Sequence, residues 1–291
     1  MNQVATRKKR RASGGWGLFG VHAVLIFGSA LMIIPFLWMI LTSFKTISEA
    51  TRFPPTILPM EWMAGNFSNI WKHYEEVMNR LPFGAMYYNT IMLMLIRVLC
   101  AVVFSSMAGY AFAKLRFPLK GPLFYLVLIQ LMLPSQIFLI PQFIMVSNMQ
   151  RLNTMFALVF PGLVSAFGTF FLRQFYLSLP SDLSEAAKLD GCNAGQTFLL
   201  ILFPLTLTAV MALGVFTALF AFNNMMWPLI VNPKPDKRTL AAGIDSLRGQ
   251  FTTEWPILMA GATLASVPMI VVYLFFQRQF IEGIALTGQK A

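Results

Sequence analysis

The stretch "FNNMMWP" (residues 222–228) sets two carboxamides, Asn223 and Asn224, beside the aromatic Trp227, with Phe222 and Pro228 at its ends. Carboxamides donate and accept hydrogen bonds, and an aromatic face offers apolar surface to a ligand. The proline removes a backbone hydrogen bond, so a helix passing through is interrupted where those groups are displayed. Asn223, Asn224 and Trp227 are candidates to line a path for a polar solute, with Phe222 as a candidate wall. The same residues also suit a plainer role, with Trp227 in an interfacial belt and the Asn pair joining helices. Arg97 is a charge within an apolar run. Such a charge costs at least about 2.5–3.5 kcal/mol unless it meets water or a partner. It reads either as a pathway residue or as a structural ion pair or snorkelling position.

Residues for bond-making chemistry are missing. The chain has no G-x-x-x-x-G-K-[ST] phosphate loop, no H-E-x-x-H and no G-x-S-x-G. All 11 acidic residues lie outside the apolar runs, so a carrier driven by protons or sodium lacks its usual buried carboxylate. Cys100 and Cys192 have no C-x-x-C spacing, and His22 and His73 stand alone, which argues against a metal site. The chain reads as a pathway without an engine: not an enzyme, and without a cofactor of its own.

The elements that must position these groups are membrane helices. Of 291 residues, 57% are hydrophobic and only 11% charged. Six apolar runs, about 16–44, 83–113, 121–148, 154–179, 197–231 and 256–277, are long enough to cross a hydrocarbon core of roughly 30 Å. The expected fold is all-α and polytopic, with residues 1–15 as a basic cytoplasmic tail and 16–291 as one transmembrane domain. The net charge of +11 is concentrated in "RKKRR" (7–11) and "KLRFPLK" (114–120), next to spans. That pattern speaks for lipid headgroups rather than nucleic acid, and short basic segments on the inside place both termini in the cytoplasm. The first run is far longer than a signal-peptide core and is read as a retained anchor. Outside, Trp62, Phe67, Ile70 and Trp71 are spaced for one amphipathic interfacial helix. Ser105-xxx-Gly109 and Gly261-xxx-Ala265 offer small faces for close helix packing.

Residues 180–204 contain structure where a bare turn would join two spans. Ser181 is the expected N-cap of a short helix, with Asp182 and Glu185 in its first turn. Asp190 and Gly191 close it, the glycine in the left-handed conformation. Asn193 with Gln196 forms a capping box for the next helix. Ala186 and Ala187 leave a thin face that another protein could approach. On the physics alone this is either a docking knob or a structured loop.

The spacing E-A-A-x₃-G-x₉-I-x-x-P, carried by Glu185, Ala186, Ala187, Gly191, Ile201 and Pro204, resembles the EAA motif of permease subunits of bacterial ABC importers. Phe203 stands where that family usually has Leu. "FPPTILP", "GYAFAKLRFP", "MLPSQIFLIPQF", "NNMMWPLIV", "TLAAGIDSLRGQF" and "FFQRQFIEGIALTGQKA" narrow the resemblance to MalG-like permeases of carbohydrate importers. The family's Trp-Asn-Asp/Glu-Phe run is replaced here by Phe222, Asn223, Asn224 and Met225. The resemblance implies the type I importer permease fold in the bacterial inner membrane. It further implies a coupling loop (180–204) through which Glu185, Ala186, Ala187, Asp190 and Gly191 engage an ATP-binding cassette ATPase dimer. The other partners it implies are a second, MalF-like permease and an extracytoplasmic sugar-binding protein that delivers a sugar or oligosaccharide. Gly243, Ser246, Gly249 and Gln250 would belong to a scoop loop reaching into that protein, and the tail "LTGQK" to the ATPase interface. ATP would be bound by the partner subunits. A self-sufficient carrier or channel for a small polar solute is the competing reading.

Overall fold

The computed structural model describes residues 15–63, 65, 70–249 and 252–288, with side chains placed over 18–277 of these. The basic run 7–11, Phe67, Gln250, Phe251, Gln289 and Lys290 lie outside the described residues. Every regular element among the described residues is helical. Runs of Leu, Ile, Phe and Met without a polar stripe can satisfy their backbone groups in hydrocarbon only within helices.

In chain order, α1 (Gly15–Ser43) is followed by α2 (Ile47–Ala50), α3 (Met60–Met63) and α4 (Lys72–Arg80). Next come α5 (Phe83–Lys114), α6 (Lys120–Met132), α7 (Leu139–Asn148), α8 (Met155–Val159) and α9 (Ala166–Ser178). After α10 (Asp182–Leu189), α11 (Ala194–Gln196) leads through a π-helical stretch, Thr197–Leu202, into α12 (Phe203–Leu205). The chain closes with α13 (Leu207–Asn223), α14 (Met226–Val231), α15 (Leu240–Asp245) and α16 (Trp255–Gly288).

Leu18–Ser43, Phe83–Lys114 and Trp255–Gln277 are long and apolar enough to cross a membrane as single helices. The other three apolar runs are broken. The run 121–148 turns by 101° between α6 and α7, and 154–179 bends by 44° between α8 and α9. The run 197–231 bends by 78° before Leu207 and breaks again between Asn223 and Met226. Proline accounts for the places: Pro134, Pro161 and Pro204 each lack the N–H that would continue the ladder. At the third bend the Thr206 hydroxyl donates to the Phe203 carbonyl at 2.9 Å, beside the bond that carbonyl accepts from the Thr206 amide.

The centre of the subunit is α5, held against α9 and α13. A Cβ on Gly109 would lie 3.0 Å from the Arg173 amide, and one on Gly168 would run into the Ser105 hydroxyl, so small residues set this separation. Three apolar clusters stack along α5. One joins Val77, Met86 and Leu240; the next joins Leu93, Leu158 and Trp227; the third joins Tyr110, Leu172 and Leu213. Hydrogen bonds fix which loops share an end. Arg80 reaches Glu254 at 2.5 Å and the Lys234 amide donates to Asn153, placing 72–82, 149–154 and 232–254 together. At the opposite end Lys114 donates to the Leu179 carbonyl and Tyr110 to that of Ala194.

The expected amphipathic helix through Trp62 and Trp71 is not formed. The two belong to separate segments that gather around Phe44, with ring centroids 5.0 and 6.0 Å from it. Burying aromatic faces against the end of α1 wins over continuing one helix.

A candidate translocation cavity and coupling segment

The bends at Pro134 and Pro161 meet the break between α13 and α14. A cavity of about 650 Å³ is lined by Gln130, Ser135, Gln136 and Gln142 from the α6–α7 bend and by Pro161 and Gly162 from the α8–α9 bend. Asn223, Asn224, Met225, Met226 and Trp227 line it from the α13–α14 break, and Arg97 from α5. Interrupted helices are tolerated at membrane depth where the irregular backbone faces a cavity.

Of the sequence-predicted path residues, Asn223, Asn224 and Trp227 line this space. Phe222 is not among the lining side chains; it packs against the apolar clusters behind. Trp227 is 6% exposed and its indole N–H donates to the Ala157 carbonyl at 2.9 Å, so what it offers the cavity is ring surface. Asn224 holds the break itself, its Oδ1 accepting the Trp227 amide at 3.4 Å. The three glutamines were missed in the sequence. Their signal was a carboxamide on either side of Pro134 and Pro141 in a run otherwise apolar.

Arg97 lies midway along α5, about 21 Å along the axis from Phe83. Its Nη2 donates to the Leu158 carbonyl at 2.8 Å, while Nε is buried without a hydrogen-bond partner. A Cβ on Gly162 would fall 2.7 Å from the guanidinium carbon, so the bare glycine is the seat of that group. Among the described residues no carboxylate lies within ion-pair distance of Arg97.

At the opposite side of α13 from the cavity break, residues 181–204 form a rigid knob. Gly191 has φ +83°, and the Cys192 amide donates back to Ala187 and the Gly191 amide to Lys188. This double bond pattern closes α10 with a left-handed residue. The Asn193–Gln196 capping box is present in both directions, each bond 2.9 Å. Two expectations are corrected. Ser181 starts α10 with its carbonyl, but its hydroxyl points to Asp182 and makes no cap. Ala187 is 2% exposed, because it and Leu183 face the 197–202 stretch on which α10 rests. The free face carries Asp182, Glu185, Ala186 and Leu189, at the i, i+3, i+4, i+7 spacing of one helical side. Leu189 is 89% exposed, a bare apolar tip that the sequence reading passed over. Lys188 and Asp190 are exposed beside it.

The 232–249 segment is anchored rather than loose. Asn89 donates to the carbonyls of Asp236 and Arg238, and the Leu240 amide donates to Thr90 at 2.9 Å. Gly243 is buried against Met86, whose sulfur occupies the place of a Cβ, so close packing requires a glycine here. The Ser246 hydroxyl donates to the Gly243 carbonyl, and the Thr252 carbonyl fills the Cβ position of Gly249.

Fold and site together give a bundle of membrane-length helices with a polar-lined cavity between bent helices and a short exposed helix closed by capped turns. Residues 101–285 match the family of binding-protein-dependent transport system inner membrane components. The chain is 32% identical to the sn-glycerol-3-phosphate transport system permease protein UgpE of Escherichia coli K12, covering 92% of this chain and 96% of that one. It is 34% identical to the arabinooligosaccharides transport system permease protein AraQ of Halalkalibacterium halodurans, covering 91% and 93%. Its fold matches a crystal structure of a bacterial ABC transporter involved in alginate import with TM-score 0.74, at 18% identity, over 96% of this chain and all of that one. The chain belongs to the binding-protein-dependent transport system inner membrane component family and is a permease subunit of such an importer.

Proposed function

We propose that this chain is the MalG-like half of the membrane path of a carbohydrate ABC importer. A second, MalF-like permease completes the path, an extracytoplasmic binding protein delivers a sugar or oligosaccharide, and an ATPase dimer binding ATP docks on α10. Both termini lie in the cytoplasm. The observation that carries the reading is the knob at 181–204. It is closed at both turns by hydrogen bonds, tethered to α5 through Tyr110, and exposed along the Asp182–Leu189 side of α10. Force applied to such a face is passed into the helices that bear the cavity rather than absorbed by a flexible loop. Glu185 and Asp182, in the first turn, are placed to meet basic groups or free amides of a partner. Among the described residues the excursion toward the binding protein is confined to the exposed Ser246, Arg248 and Gly249, since 239–243 is anchored.

Reconstitution with the partner subunits and the binding protein tests this. Uptake of sugar into proteoliposomes should require ATP and the binding protein, and the ATPase should co-purify with the chain. Uptake by this chain alone under an ion gradient would favour the carrier reading. Cysteines placed singly at Met60, Gln150 and Arg248, with Cys100 and Cys192 removed, should react with an impermeant thiol reagent from outside; protection of all three reverses the orientation.

A further inference from the structure

The lining of the cavity is one-sided in charge. Its polar groups are amides and a hydroxyl, from Gln130, Ser135, Gln136, Gln142, Asn223 and Asn224, and its one charged group is the Arg97 guanidinium. An intramembrane guanidinium is normally held by a carboxylate, by backbone carbonyls or by water in a cavity, and its remaining donors need partners of the same kinds. Here, among the described residues, the carbonyl of Leu158 is its hydrogen-bond acceptor and Nε has none. The seat is also made to measure: Gly162 in the α8–α9 bend is bare where any side chain would displace the guanidinium. A fork of N–H donors held at mid-membrane, with unused donors and hydroxyl-binding amides around it, is complementary to an oxyanion on a polyhydroxylated body.

We propose that the solute carried by this permease is an anionic carbohydrate, whose carboxylate or phosphate group is held by Arg97 while Asn223, Asn224 and the glutamines take its hydroxyls. This rests on the permease assignment above and narrows its substrate class. The carboxylate and phosphate forms share the chemistry that Arg97 recognises. A carboxylate of the second permease, facing Arg97 across the subunit boundary, is the competing source of the missing charge.

The test uses the complete reconstituted importer and three probes: a neutral oligosaccharide, its uronate counterpart and a polyol phosphate. ATP-dependent uptake of the uronate or of the phosphate by the wild type is expected, and which of them is carried assigns the group. Arg97→Gln should then lower uptake of that probe about ten- to a hundredfold, the worth of one charge-assisted hydrogen bond. Arg97→Lys should restore part of it, and Gly162→Ala, which leaves the charge but unseats it, should lie between. Co-purification of the two permeases should be unchanged in all three variants. Uptake confined to the neutral sugar, or Arg97→Gln affecting every probe equally, overturns the proposal while leaving the permease assignment intact. Loss of the second permease from the Arg97→Gln complex overturns it in favour of the subunit pair. Failure of the wild type to import any probe, in a complex that binds ATPase normally, overturns both readings.

Discussion

The segments 181–204 and 232–249 both join spans, both begin with short helices and both carry glycines, yet the chain uses them in opposite ways. Gly191 adopts φ +83° with open space around it, and its freedom shapes a turn. Gly243 has no such backbone demand and is bare because Met86 presses on it. The first segment turns an entire helical side outward, with Leu189 at its tip; the second buries Thr239, Leu240, Ala242 and Gly243. A glycine in a connecting segment therefore says little by itself. What separates a docking element from an anchored one is where the neighbouring side chains go.

Substitutions sharpen this contrast. The largest effect is expected from Ala187→Trp, because a 2%-exposed alanine has no room for an indole, and overpacking at about 3 kcal/mol or more should lower thermal stability and yield. Ala186→Trp, on the free face, should leave stability intact and block ATPase co-purification; equal behaviour of the two would erase the difference between the faces. Gly191→Val comes next, at about 1–3 kcal/mol for a β-branched residue at positive φ. Uptake and binding-protein-stimulated hydrolysis should both fall, with Gly191→Asn much milder. Gly243→Ala should cost about 1 kcal/mol in thermal unfolding, since the tip of Met86 must shift in a buried site. A wild-type melting curve together with lost uptake would mean the segment is a moving part after all. Smallest in stability, within about 0.5 kcal/mol, is Leu189→Ala. Its signature should be weakened ATPase association alone, and normal association would remove the tip from the interface.

Much of this was legible in the residues. The capping box and the left-handed Gly191 depend on local spacing, which sequence carries directly, and the break that sets Asn223, Asn224 and Trp227 on the cavity wall falls beside Pro228. Burial was not legible where it depended on partners distant in the chain. Ala187 reads like Ala186 until the 197–202 stretch folds back onto it, and Gly243 reads like a hinge until Met86, far earlier in the chain, packs against it. Pro134 and Pro161 mark two of the breaks, but Pro35 and Pro268 lie inside continuous helices, and nothing local shows that three breaks converge on Arg97. Convergence is a property of the packed bundle, and it is what turns an isolated charge in a span into the floor of a cavity.

α1 differs from the other spans: its membrane-length window has no buried residue, and its principal neighbour is α16. The first and last of the described helices thus lie against each other, with roughly two hundred residues between them. Their contact is the most non-local one in the subunit, so during synthesis α1 is made long before the helix it packs on. Loss of α16 would leave α1 without its principal neighbour.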